Sequence, residues 1–298
     1  MKQRTLKKEY LFEGKGLHTG RLSHVCLKPG AEDSGIVFFR TDLGVAVPAL
    51  AENVHSTRRS TVICSGKASV RTVEHILSAF MGLGVDNAVV ELDNVEMPIL
   101  DGSAAMYVDA ILSDGLLEQN ADRKWVKPCA PLEVSNPKTG SYIKITPADD
   151  FIVDLTIDFK SKVLGRQTVH WDSTGNYAVE VAPCRTFCFL REVLLLAFIG
   201  LARGGSVDNA LVIVDKPVSP RRMACIARFL RRPRLAVSSE GYLGNVTLRF
   251  PDECARHKLL DLLGDLRLCG GFPKMRVEAY KPGHSINTDI SKLIRKNR

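Results

Sequence analysis

The chain has 298 residues, 45% of them hydrophobic and 25% charged, with a net charge of +8 at pH 7. These fractions are globular averages and exclude wholesale disorder, coiled coil and collagen; no apolar stretch approaches the ~20 residues of a membrane span. The length favours two domains able to fold without disulfide or metal, and the eight cysteines, none spaced Cys-x-x-Cys, read as reduced thiols.

In chain order, Met1 to Tyr10 is basic but lacks the apolar core and cleavage site of a signal peptide, so the expected location is the cytoplasm. Gly14-Lys-Gly-Leu-His-Thr-Gly20 is a glycine-rich turn without the Gly-Lys-Ser/Thr ending of a phosphate-binding P-loop. Ser23 to Leu27 and Gly35 to Phe39 are strand-like. A helix follows, opened by Glu74 and His75, with Thr72 or Ser69 as its cap. Adjacent helical residues point about 100° apart, so a cation taking His75 leaves Glu74 just outside its shell, the placing of a metallohydrolase base. A helix-start acid beside a packed histidine gives the same pattern.

The polar stretch Ser113 to Lys127 marks a boundary, giving a first α/β domain over 1–124 and a second over 125–298. The second resumes with strand-like Tyr142 to Ile145 and Ile152 to Phe159. Glu192 to Leu201 then repeats the pattern of Glu74 to Leu83, and Val207 to Val212 that of Val85 to Val90, which points to a tandem duplication. An Arg-rich insertion covers about 218–242. From Lys216 to Arg234 seven basic residues meet no acidic one, a patch suited to phosphate-bearing partners.

The last clear helix runs from about Glu253 to Leu268. His257, Asp261 and Asp265 fall on one stripe at i, i+4 and i+8, where His and Asp one turn apart can chelate a cation. The stripe is equally that of a polar helix edge. His284 follows Pro282-Gly283 and is expected on a loop.

Seven motifs, in order over residues 14 to 284, carry a resemblance. They are the Gly14–Gly20 turn, Thr72-Val-Glu-His-Ile-Leu77, Met97-Pro-Ile-Leu-Asp-Gly-Ser103, Arg185-Thr-Phe187, Gly204-Gly-Ser206, Arg256-His-Lys-Leu-Leu-Asp261 with Gly264-Asp265, and Tyr280-Lys-Pro-Gly-His284. Together they resemble the zinc-dependent UDP-3-O-acyl-N-acetylglucosamine deacetylases of lipid A biosynthesis. The resemblance implies an α+β fold of two similar domains with helices packed between two sheets. It implies one Zn²⁺ per chain on His75, His257 and Asp261, with Glu74 as general base. His284, paired with Asp265, would be the general acid or electrostatic stabiliser, and Thr186 would assist at the carbonyl oxygen. Lys258 and Phe187 would contact the substrate, a UDP-sugar bearing one acyl chain, and the products would be acetate and the free amine. Two departures stand out: the Arg-rich stretch is longer than the family's connection, and Ile157-Asp-Phe-Lys-Ser-Lys162 replaces an Ile-Asp-Phe-His-Pro-like segment.

Leu194, Leu195, Leu196, Phe198 and Ile199 are candidates for an acyl channel. The Arg-rich insertion reads either as a solvated loop that keeps the protein soluble or as a contact with an anionic membrane, with Phe229 and Leu230 dipping in. A nucleic-acid partner is not expected, for no aromatic-rich RNA-binding signature or zinc-finger spacing accompanies the charge. A non-catalytic metal-stabilised module would be told apart by metal content without amidase activity.

Overall fold

Residues alternate between buried and exposed along most strands, and the buried set faces the helices. A computed structural model describes residues 1–193, 203–229, 235–244 and 246–297. The first half supplies β1 (Tyr10–Lys15), β2 (Leu22–Pro29), β3 (Ile36–Arg40), β4 (Val45–Pro48), α1 (Glu74–Leu83), β5 (Ala88–Leu92) and α2 (Ala105–Asp114). The second supplies β6 (Leu132–Asn136), β7 (Ser141–Pro147), β8 (Phe151–Asp158), β9 (Arg166–Asp172), α3 (Glu253–Arg267), β10 (Met275–Tyr280) and α4 (His284–Lys296).

The two five-stranded sheets have one topology. The first is ordered β1-β2-β5-β3-β4 and the second β6-β7-β10-β8-β9. In each, the strand following the long helix enters the middle, parallel to one neighbour and antiparallel to the other. Each parallel pair needs a crossover, which α1 and α3 complete.

The duplication is therefore real, but its register differs from the sequence repeat. Leu211–Ile213 does not enter a five-stranded sheet; it pairs in parallel with Phe187–Phe189. The counterpart of α1 is α3, that of β5 is β10, and that of α2 is α4. The Glu192–Leu201 repeat lies largely outside the described residues. Its likeness to Glu74–Leu83 is one of apolar composition, which says nothing of which sheet a segment joins.

The polar boundary stretch Ser113 to Lys127 is itself structured. Within it, Leu116–Asp122 pairs with Lys2–Leu6, and Trp125–Val126 runs parallel to Phe272–Pro273.

One apolar core joins both sheets through the helices. It runs from Val25 and Phe38 on the first sheet, through Ile76, Phe80, Leu259 and Leu263, to Val153 and Leu155 on the second. Every α1 residue from Glu74 to Met81 is buried, and α3 is buried nearly all round, as helices enclosed on both faces must be. They pack tightly at Gly264, where a Cβ would overlap the carbonyl oxygen of Glu74. That crossing puts the polar start of α1 against the polar stripe of α3. Among the described residues, no helix is long and apolar enough to cross a membrane.

Candidate active site

The site forms where α1, α3 and α4 meet. Thr72, just before α1, has φ 59°, a left-handed conformation that costs a non-glycine residue about 1 kcal/mol. Two hydrogen bonds hold it there: its N–H donates to the Thr61 carbonyl (3.0 Å) and its hydroxyl to Glu96 (3.1 Å). The hydroxyl is thus committed to Glu96 and does not cap α1, and no side chain caps that helix. Glu96 also accepts the N–H groups of His18 and Thr19, tying down the first glycine-rich turn.

His75, His257 and Asp261 converge, with their candidate ligand atoms within 4.8 Å of one another. His257 Nε2 lies 3.4 Å and His75 Nε2 3.9 Å from Asp261 Oδ1. Tetrahedral ligands at Zn–N and Zn–O distances near 2.0–2.1 Å stand about 3.4 Å apart; the His257–Asp261 pair already has that spacing and His75 stands about half an ångström further from Asp261. His257 Nδ1–H donates to the Cys184 carbonyl (3.0 Å), which leaves the Nε2 lone pair facing the cluster. Burial first, and then the neighbouring His257, push His75 down to about 3, and burial lowers His257 as well. Both rings are neutral near pH 7, as metal ligands must be. Burial would raise Asp261, but Lys258 and the histidines outweigh it and hold the carboxyl well below its usual range. Lys258 Nζ binds Asp261 Oδ2 at 2.6 Å, leaving Oδ1 to the histidines.

Beside this cluster stands Glu74, buried, with Oε2 accepting the Thr61 N–H (3.1 Å). Desolvation raises its pKa to about 8. His284 Nε2 lies 3.9 Å from both Glu74 Oε1 and Asp261 Oδ2. Its Nδ1 bonds Asp265 Oδ2 at 3.0 Å. Burial alone would lower His284, yet Asp265, Asp261 and Glu74 overcome it and hold the ring up to about 9.

His284 is not on a loop. It opens α4, because Ile286, Ile290 and Ile294 bury one helical face directly after the Pro-Gly turn.

The cleft over these groups is also lined by Thr186, Phe187, Lys258, Phe159, Cys188 and Phe189. Thr186 N–H donates to the Gly102 carbonyl (2.8 Å), so the Met97–Ser103 motif anchors it. Phe187 stands 6.3 Å from the His257 ring and 5.7 Å from Phe159, centre to centre. A Cβ at Gly204 would overlap the Gly16 carbonyl oxygen, which is why two glycine motifs far apart in sequence meet here. The candidate acyl-channel residues 194–196, 198 and 199 lie outside the described residues.

Sequence reasoning missed Thr61. Its N–H holds Glu74, its hydroxyl donates to Asp265 Oδ1, and the same Thr61 Oγ1 lies 3.3 Å from His284 Nδ1. It also missed Asn287, which donates to Asp265 (2.9 Å), and Glu253, which grips Arg185 beside Thr186. Asn287 lies one turn after His284, a helical spacing hidden by the loop expectation. No local pattern marks Thr61.

With this arrangement in view, the comparison with known proteins is decisive. The profile of the UDP-3-O-acyl N-acetylglycosamine deacetylase family matches residues 3–231 and 232–296. The chain belongs to this family. It is 44% identical to the bifunctional enzyme LpxC/FabZ of Porphyromonas gingivalis, over 99% of this chain and 64% of that protein. It is 42% identical to the UDP-3-O-acyl-N-acetylglucosamine deacetylase of Saccharophagus degradans, over 96% of this chain and 88% of that one. With the Nautilia profundicola protein of the same name it shares 39% identity, over 98% and 91%. The chain thus spans about two thirds of its bifunctional relatives and most of the single-function ones. Family membership agrees with the duplicated fold.

Proposed function

We propose that the chain hydrolyses the N-acetyl group of UDP-3-O-acyl-N-acetylglucosamine, releasing acetate and the free amine, as an early step of lipid A biosynthesis in the cytoplasm. The observation that carries this is the convergence of a His75–His257–Asp261 cluster, a buried Glu74 and an Asp265–His284 pair in one cleft. We also propose the domain boundary at 124/125, between the strand that pairs with Lys2–Leu6 of the first half and the strand that pairs with Phe272–Pro273 of the second.

One zinc ion on His75, His257 and Asp261 would supply Lewis acidity, bringing the pKa of a water to about 7 and polarising the amide carbonyl. Glu74 takes the proton from the attacking water. A base works best with its pKa near the working pH, and desolvation moves this carboxyl there. Thr61 N–H fixes one carboxylate oxygen and leaves the other toward the cluster.

As negative charge builds on the amide oxygen, the Thr186 hydroxyl donates to it. The His284 ring, kept protonated by Asp265, faces the same space through Nε2. It either stabilises that charge or gives its proton to the leaving amine, and Glu74 can return the proton it took. Lys258 offers a cation to the substrate's diphosphate, and Phe187 packs against the sugar or the start of the acyl chain.

The test is Glu74→Gln, assayed for bound metal and acetate release. Metal should stay bound while turnover falls by roughly 10²–10⁴-fold. Near-normal acetate release, or wild-type protein that never releases acetate, would overturn the reading.

A further inference from the structure

The net charge of this protein sits in one place. Lys216, Arg221, Arg222, Arg228, Arg231, Arg232 and Arg234 fall in a stretch with no acidic residue, while the remaining 34 basic and 33 acidic residues nearly cancel. Within this stretch Pro220–Phe229 is a helix. Ser219 precedes it and Pro220 opens it, the residue types preferred at a cap and at a first helical position. Its apolar side, Ile226, is buried in a small cluster with Leu190, Val212, Val214 and Leu243, separate from the main core. Arg221 and Arg228 project from the other side and Arg222 from the flank, with Lys216 just ahead, all exposed. Among the described residues none of the four makes an ion pair.

The position of this cluster matters as much as its charge. Phe187, Cys188 and Phe189 line the catalytic cleft, and Leu190, the next residue, packs beneath the basic helix. Strand 187–189 pairs with 211–213, whose continuation Val214 belongs to the same cluster. The basic face is therefore built on the strand that forms the aromatic side of the cleft. An occupant of that face would carry anionic groups over a surface and sit beside the aromatic side of the cleft.

We infer that helix 220–229 docks the enzyme on an anionic lipid bilayer, with phospholipid phosphates as its partners. The choice of a bilayer over other polyanions rests on the proposed function, since a substrate with one acyl chain partitions into bilayers. The contact is electrostatic: the helix spends Ile226 on the protein and offers guanidinium groups to the headgroups. Each basic residue near such a surface raises partitioning by about fivefold.

The test is co-sedimentation of the full chain with phosphatidylglycerol/phosphatidylcholine vesicles, and with phosphatidylcholine alone, at low and high salt. Wild type should pellet with the anionic vesicles only, and 0.5 M NaCl should release it. Arg221→Glu/Arg222→Glu/Arg228→Glu should lower the partition coefficient by about a hundredfold. Lys138→Glu/Lys144→Glu/Lys162→Glu changes the net charge equally at exposed sites outside the basic stretch and should retain most of the binding. Wild type that does not pellet, or equal loss in both triple variants, would overturn the inference. So would release by 10 mM inorganic phosphate at matched ionic strength, or retention on duplex DNA at salt that frees the vesicles. None of these readouts uses turnover, so their failure is distinguishable from failure of the deacetylase reading.

Discussion

Consider the metal-free protein unfolded by urea at pH values between 6.5 and 8. Glu74 has its pKa raised from 4.5 to about 8, chiefly by desolvation, and His284 has its pKa raised from 6.5 to about 9 by three carboxylates that outweigh its burial. Both groups bind a proton more tightly when folded, so each contributes stability that is lost as pH rises from its unfolded to its folded value. For Glu74 that window is 4.5 to 8, and for His284 it is 6.5 to 9. They overlap between 6.5 and 8. His75 and His257 are lowered, so they act below 6.5 and with the opposite sign. Asp261 is also lowered, and the raised Lys258 titrates above the window. Each proton taken up on folding tilts stability by about 1.4 kcal/mol per pH unit. With both groups contributing, stability should fall by at least roughly 2 kcal/mol per pH unit near pH 7, since the exposed His24, raised by its bond to Asp93, acts with the same sign. Glu74→Gln keeps an acceptor for the Thr61 N–H but removes one titrating group, so the slope should become shallower by roughly 1 kcal/mol per pH unit. Parallel slopes for wild type and variant across this window would show that Glu74 is not protonated in the empty site, and the reasoning would fail.

The cluster itself predicts that His75→Ala, His257→Ala and Asp261→Ala each lose bound zinc, as measured by elemental analysis after gel filtration; full occupancy in any of them would remove that residue from the ligand set. Gly264→Ala places a methyl on the Glu74 carbonyl and should destabilise the fold by about 1–3 kcal/mol in urea titration, together with a loss of activity. Thr61→Val removes the hydroxyl that Asp265 accepts; kcat should fall at least tenfold with KM little changed, and Thr61→Ser should restore it. Equal kcat in Thr61→Val and wild type would make that contact dispensable.

What the sequence made legible was local. The strand-like segments Ser23 to Leu27, Gly35 to Phe39, Tyr142 to Ile145 and Ile152 to Phe159 fall on β2, β3, β7 and β8, because a half-buried strand shows its period of two in any short window. The stripe His257–Asp261–Asp265 was legible because one helix holds all three residues. Thr61 was not. It reaches Glu74 and Asp265, which lie 13 and 204 positions away, through a backbone N–H and a hydroxyl, and any buried threonine looks the same in sequence. His284 was placed on a loop because Pro282-Gly283 reads as a turn, although Ile286, Ile290 and Ile294 already spelled a helix.

The duplicated topology explains why the site is asymmetric. Each half carries the same succession of long helix, central strand and second helix, yet the halves contribute different chemistry. The first donates Glu74 and His75 from the very start of α1, where the left-handed Thr72 swings the chain inward. The second donates His257, Asp261 and Asp265 from the middle face of α3, and His284 from the start of α4. At the start of α2, the counterpart of α4, Ala105 is the first residue and is only partly buried. Because α1 and α3 cross at Gly264, the helix start of one half reaches the helix centre of the other. Neither half alone brings together three ligating atoms with a base, so the chemistry depends on how tightly the halves pack. Gly264 is accordingly the residue at which fold and catalysis should be inseparable.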